Sequence, residues 1–344
     1  MRASKEAATM SRHIAGFLGS YAPSQLTSSG NTLKSYRTAI SLFIEFLEGE
    51  KGVTDATFGR KCFERPVIEE WLKWLKEERG SSAGTCNNRL GSLRAFLKYL
   101  AGRGPEYAYL QQEASQIPRM KEQKKKVEGM SKEAVKALME CPDASTRTGK
   151  RDLVLMVVLY ATAARIDEVL SLKVGQLHLD CARPYANIIG KGDKVRTLNL
   201  LPKAVAHIKA YLQEFHGSDP DPGAYLFYSR NAGPSGKMTQ PAVDKMLKKH
   251  AKKAAEQCKD VPVGLHAHQF RHAKASHWLE DGMNIVQISL LLGHESLETT
   301  MRYLDVTLDD ERAALATLED ENEKKVAPKW KNADGSLKTL CGLG

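Results

Sequence analysis

The sequence predicts a mainly α-helical protein with a small β-sheet, divided into two domains. Three observations carry that prediction. The chain has 344 residues, too many for one small domain. Its first hundred or so residues repeat apolar positions at helical spacing. In the second half, two short β-like runs flank a glycine-rich turn within a segment that is otherwise helical in pattern.

The elements follow in order. Asn31-Thr32 caps a helix running to about Glu48, with Leu33, Tyr36, Ile40, Phe43, Ile44 and Leu47 along it. A second helix covers about Pro66 to Glu78, with proline in its first turn. A third begins after Ser81-Ser82, carries Leu90, Leu93, Phe96, Leu97 and Leu100, and stops at Gly102 and Gly104-Pro105. These form a helical domain over 1–117. Residues 118–130 are polar and basic and read as a linker. Its Lys124, Lys125 and Lys126 either keep a linker soluble or track a DNA backbone. The second domain spans 131–320 and opens at Ser131, a good N-cap. A buried helix over about 149–163 precedes one containing Ile166, Val169, Leu170 and Leu172. The runs Tyr185–Ile189 and Val195–Leu200 form a hairpin about Gly190-Lys191-Gly192-Asp193. Helices over about 202–215, 239–257, 268–280, 284–292 and 296–304 follow. A last helix over 308–319 carries Leu308, Leu315 and Leu318 on one side, and 321–344 is a polar, loosely ordered tail.

Bulk properties narrow the function. A formal net charge of +10 and a pI of about 9.2 predispose the chain toward polyanions, although a solvated basic surface has the same signature. The six cysteines form no CxxC pair and stand near no histidine at zinc spacing, so they read as reduced residues of a cytoplasmic protein without a metal site. Met1 to Ile14 lacks the apolar run of a signal peptide. The longest apolar stretch, Leu153 to Ala164, is twelve residues, too short to span a bilayer.

Five features carry chemistry. Arg165 and Glu168, three apart, share a face if both lie on one helix, and alone they also read as a local ion pair. Lys191 stands at the tip of the hairpin turn, where a solvated lysine is equally at home. His268 and Arg271 are again three apart and can converge on one anion; arginine offers planar, permanently charged donors that fit phosphate oxygens. His294 and Tyr303 are nine apart and would face opposite ways on a straight helix at about 100° per residue. If they cooperate, the chain breaks near Gly293 and Ser296 caps the helix that presents Tyr303. The fifth feature is the order: Arg, Lys, His-x-x-Arg, His, Tyr.

In that order and those contexts the sequence resembles the tyrosine recombinase, or phage integrase, family over about Leu153 to Val306. The family's first arginine motif, close to TGLRxxE, corresponds to Ala163-Ala164-Arg165-Ile166-Asp167-Glu168, with two alanines where glycine and leucine are usual. Its GKGxK hairpin matches Gly190 to Lys194, its HxLRH box matches His268 to His272 with Phe270 for leucine, and its LLGHxxxxTTxxY box matches Leu291 to Tyr303. The helical first part is similar in kind to the family's core-binding domain.

The resemblance implies a site-specific DNA recombinase. Tyr303 attacks a backbone phosphorus, expels a 5′-hydroxyl and keeps the bond energy as a 3′-phosphotyrosine; a 5′-hydroxyl from the partner duplex reverses the step. Arg165, Arg271 and His294 neutralise charge on the non-bridging oxygens, donors that typically contribute about 2.7–4 kcal/mol each. His268 assists deprotonation of the phenol, whose ordinary pKa is about 10. Lys191 protonates the leaving oxygen, and Glu168 orients groups near Arg165. No cofactor or metal is called for, since the cationic side chains supply the charge. The implied partners are double-stranded DNA with a specific site, a homotetramer on two duplexes, accessory DNA-bending or directionality proteins, and no membrane; the place is cytoplasmic, at the nucleoid. Chain length favours integration, excision or transposition of a mobile element over Xer-type chromosome or plasmid dimer resolution. A type IB topoisomerase and a non-catalytic DNA-binding regulator are the remaining alternatives.

Overall fold

The computed structural model describes residues 3–122, 129–294 and 296–301, and of Lys191 only the backbone. The expected helix 308–319, the tail, Lys124 to Lys126 and Tyr303 lie outside the described residues. The chain divides into two compact units, Met1–Lys125 and Lys126–Gly344.

The first unit is helical throughout. Helix α1 (Lys5–Gly16) is capped by Ser4, whose hydroxyl accepts from the Ala7 amide at 3.0 Å, and runs on through a wider-turned stretch, Phe17–Leu26. Helix α2 (Gly30–Gly49) is capped by Ser29 rather than by Asn31-Thr32: the Ser29 hydroxyl accepts from the Thr32 amide, so the helix starts two to three residues earlier than expected. Helix α3 (Arg65–Glu77) has proline in its first turn, and α4 (Ala83–Ala101) is capped by Ser82. Helix α5 (Ala108–Gln116) lies against α4. The core is aromatic: Phe17, Phe43, Phe63, Trp71 and Phe96 are buried, with Phe43 edge-on to Trp71 at 5.1 Å. Buried Asn87 on α4 satisfies its amide by clamping residues that read as linker. It donates to the Met120 carbonyl (2.9 Å) and to Glu122 (2.8 Å), and accepts from the Met120 amide (2.8 Å). The stretch up to Glu122 is therefore fastened to this unit.

The second unit is built around α7 (Arg147–Thr162), which follows α6 (Lys132–Glu140), capped by Ser131 as expected. Leu155, Met156 and Leu159 of α7 are fully buried, because α9 and α11 cover it. Short α8 (Ile166–Leu170) follows. Then comes an antiparallel sheet in the order β1 (Leu177–His178), β2 (Tyr185–Ile189), β3 (Val195–Asn199), with Ile189 opposite Val195. Helix α9 (Pro202–Phe215) precedes a small ribbon, β4 (Tyr228–Ser229) and β5 (Gly233–Lys237). Helices α10 (Gln240–Ala255), α11 (Ala267–Glu280) and α12 (Ile285–Leu292) complete the described chain, with a further helical turn at 298–301. One polar group crosses the core: Asp152 on α7 accepts from Arg151 (2.7 Å) and bonds His250 of α10 (3.1 Å), which satisfies a buried carboxylate.

Candidate active site

Three chain ends meet on one side of the second unit. The first is the end of α7. Ala163 caps it in the left-handed conformation (φ 48°, ψ 22°), fully buried. That turn swings the chain so that Arg165 is extended (φ −67°, ψ 149°) and precedes α8 instead of lying within it. The expectation that Arg165 and Glu168 share a helical face is corrected here. Spacing of three cannot separate two helical residues from an N-cap and its N3 partner, and Glu168 takes the second arrangement. Its carboxylate accepts the Arg165 amide at 2.7 Å, the back-reaching half of a capping box. It also accepts from Arg165 Nη1 at 3.1 Å, so the local ion pair is present. The Glu168 side chain is only 6% exposed while that of Arg165 is 42% exposed, so the pair presents a guanidinium and hides the acid behind it.

The second end is the start of α11, which carries His268 and Arg271. Arg271 is 1% exposed. Its Nη1 donates to the Ala163 carbonyl (2.9 Å) and its Nη2 to the Leu292 carbonyl (2.6 Å). It therefore ties the end of α7 to the end of α12, two residues before Arg165 and two before His294. His268 stands edge-on to His272, ring centroids 4.3 Å apart.

The third end is the close of α12. Gly293 (φ 64°) terminates it in the left-handed region, the break the spacing of His294 and Tyr303 demands. His294 follows, its Nδ1 2.7 Å from the hydroxyl of Thr300. Ser296 accepts from the Glu298 amide at 3.3 Å and starts the next turn as expected. The described chain stops at Met301, before Tyr303.

The electrostatics show that these groups converge. His294 is pushed down to about 4, first by burial and then by the charges of Arg271, Arg165, His268 and Arg196. His268 is lowered by burial and by Arg271, His266 and Arg165. Both rings are thus neutral near pH 7. Burial works to raise Glu168, but hydrogen bonds from Arg196 and the Arg165 amide, with both guanidinium charges, overcome it and hold the carboxyl below its usual range. Of the predicted site residues, Arg165, His268, Arg271 and His294 come together. The Lys191 backbone occupies the turn between β2 and β3, with Gly192 at φ 71°, and the Gly190 amide bonds the Lys194 carbonyl at 2.8 Å.

Two residues escaped sequence reasoning. Arg196 on β3 donates to both Glu168 oxygens, through Nη1 (3.2 Å) and through Nη2. Strand alternation puts it on the same face as Leu198, and an inward arginine is the signal that could have found it. Thr300, fully buried against His294, is a threonine of the last motif whose hydroxyl has a polar target.

Residues 117–309 match the model of the phage integrase family, and residues 20–104 that of its N-terminal SAM-like domain. The chain belongs to the phage integrase family, and is a DNA breaking–rejoining enzyme of the tyrosine recombinase kind. Among curated relatives it is 31% identical to the tyrosine recombinase XerD of Listeria monocytogenes serotype 4b (strain F2365), over 81% of this chain and 89% of that protein. It is 29% identical to the putative integrase/recombinase y4rC of Sinorhizobium fredii, over 85% of this chain and 86% of that one. Two solved structures share the fold. One is the XerH recombinase in a pre-cleavage complex with its difH substrate (TM-score 0.65, 19% identity, 87% of this chain and 92% of that one). The other is the Tn1549 transposon integrase with transposon right end DNA (TM-score 0.65, 16% identity, 89% and 99%).

Proposed function

We propose that the chain is a site-specific recombinase that cleaves double-stranded DNA with Tyr303 and rejoins it through a 3′-phosphotyrosine. The observation that carries the reading is the convergence of two guanidiniums and two neutral imidazoles at the ends of α7, α11 and α12. A phosphodiester seated over Arg165 meets an exposed guanidinium, with Arg271 as the buried charge that holds the seat together. The neutral His268 ring can accept the phenolic proton as the Tyr303 oxygen bonds to phosphorus, which a protonated ring could not. In the tautomer where the Thr300 hydroxyl donates to Nδ1, the His294 proton is on Nε2 and can be donated to a non-bridging oxygen of the transition state. Lys191 gives its proton to the departing 5′-oxygen, and in the second half-reaction an incoming 5′-hydroxyl displaces the tyrosine. Basic net charge supports binding to DNA, and the active assembly is a homotetramer on two duplexes, assisted by bending or directionality proteins.

The biological setting we assign is integration, excision or transposition of a mobile element. Similarity to y4rC, named an integrase/recombinase, and the fold shared with the Tn1549 transposon integrase support it. Dimer resolution is the second reading, favoured by relatives named XerD and XerC. Incubating the protein with DNA of its source organism and sequencing the ends held in covalent adducts separates them. Ends flanking a mobile element support the first reading. Ends at a single site near the replication terminus support the second, and scattered ends point to topoisomerase-like action.

A further inference from the structure

Among the described residues, one arginine outside the predicted set touches three of the four motif segments of the site. Arg196 leaves β3 toward α8 and offers its guanidinium fork to the Glu168 carboxylate, one donor to each oxygen. A planar fork meeting both oxygens fixes a carboxylate in position and in rotation, where a single-point contact would leave it free to turn. The carboxylate so fixed holds both the amide and the Nη1 of Arg165. The same guanidinium lies under two glycine turns. A Cβ on Gly293 would come within 3.2 Å of Nη1 and 3.4 Å of Cδ, and a Cβ on Gly190 within 3.2 Å of Nη1 and 3.3 Å of Glu168 Oε1. Gly293 immediately precedes His294, and Gly190 immediately precedes Lys191. Any side chain at either glycine would push against the arginine, so the two backbones close directly onto it. The Arg196 side chain is 13% exposed, too covered to serve as a surface phosphate clamp.

We infer that Arg196 is a positioning residue of the cleavage site. It locks Glu168 so that Arg165 points outward, and it serves as the floor on which the turns carrying Lys191 and His294 rest. This inference rests on the strand-cleavage reading for its effect on rate, and on geometry alone for its effect on Arg165. An ammonium in place of the fork keeps the charge but meets one carboxylate oxygen at a time.

The test uses the full chain with Arg196→Lys, Arg196→Ala, Glu168→Gln and the Arg196→Lys/Glu168→Gln double variant. Single-turnover cleavage is measured on a synthetic duplex of the mapped site, nicked so that the covalent complex is trapped. Affinity for the same duplex is measured alongside. Arg196→Lys is expected to fold, to bind within about twofold of wild type and to cleave about 10- to 100-fold more slowly, the range seen when a group that orients a reacting group is removed. The double variant is expected to be no slower than the slower single variant, because one residue acts through the other. A second readout needs no DNA: the Arg165 Nε–Hε resonance, assigned by its loss in Arg165→Lys, should shift or broaden in Arg196→Lys. Wild-type cleavage in Arg196→Lys, losses of rate and affinity in step, losses that multiply in the double variant, or an unmoved Arg165 resonance would each overturn the inference. If wild type forms no adduct, the cleavage reading fails, and the resonance still decides whether Arg196 positions Arg165. If Arg196→Ala does not fold, Arg196→Lys carries the decision.

Discussion

Replacing Arg271 should damage structure and chemistry together, by amounts the geometry sets. In the wild type its two charge-assisted bonds occupy the carbonyls of Ala163 and Leu292. Arg271→Ala leaves both carbonyls without that donor in a buried setting, at about 1–3 kcal/mol each. Loss of the desolvated guanidinium recovers part of this, so we expect a net cost of about 3 kcal/mol. For a unit of this size that corresponds to a melting temperature lower by roughly 6–12 °C. Arg271→Lys keeps one donor and should fall about halfway. Cleavage, measured at a temperature where the variant is folded, should drop about 10²-fold in Arg271→Ala, because the buried tie that holds the seat together is lost and the reacting groups are misplaced. The assay pairs thermal unfolding with single-turnover adduct formation. An Arg271→Ala protein that melts with wild type would refute the claim that this side chain joins α7 to α12. An Arg271→Lys protein matching wild type in both measurements would refute the need for a two-pronged donor.

Three further outcomes follow from the site. Ala163 sits in the left-handed region, which costs an L-residue about 1–2 kcal/mol, so Ala163→Gly should stabilise the protein by about 0.5–1 kcal/mol after the extra freedom of glycine in the unfolded chain is deducted; a lower urea midpoint would contradict this. Thr300→Val removes the hydroxyl facing His294 Nδ1 and should slow cleavage about 5- to 30-fold with DNA affinity unchanged, the weight of one or two kcal/mol; wild-type rates would show that the ring needs no such partner. The depressed pKa of His294, about 4 in the folded chain against 6.5 as the ordinary value, makes the unfolded state the better proton acceptor between those values. Its contribution to stability is therefore complete above about pH 6.5 and declines as pH falls toward 4, with His268 and His277 acting in the same direction. Hydrogen exchange in α11 and α12 should accelerate from pH 7 to pH 5 after correction for intrinsic rates, and unchanged protection would contradict the sign.

Much of this architecture was legible from local signals, and the exceptions have physical causes. Helices such as α4 and α9 announce themselves through apolar spacing and a cap or first-turn proline, and the hairpin through its glycine turn. The break at Gly293 was deducible because His294 and Tyr303 cannot cooperate on one straight helix. The strands β1 and β4 are two residues long and β5 reads Gly-Pro-Ser-Gly-Lys, so none carries an alternating apolar run. The cap of α2 fell to Ser29 because several adjacent polar residues compete for that position. Ala163 takes a conformation usually left to glycine, which hid the turn that lifts Arg165 out of the helix. The site residues were readable by type and order. Their convergence was not, because it depends on the ends of α7 and α12 meeting the start of α11, and on Arg196 arriving from a strand.

The central claim is that Tyr303 becomes bonded to a DNA 3′-phosphate. The most direct measurement digests a purified covalent adduct with nuclease and trypsin and sequences the modified peptide by mass spectrometry. The account predicts a nucleotide mass on the peptide 303–312, carried by its single tyrosine, and no adduct from Tyr303→Phe. A nucleotide on any other peptide, or adduct formation that survives Tyr303→Phe, would contradict it.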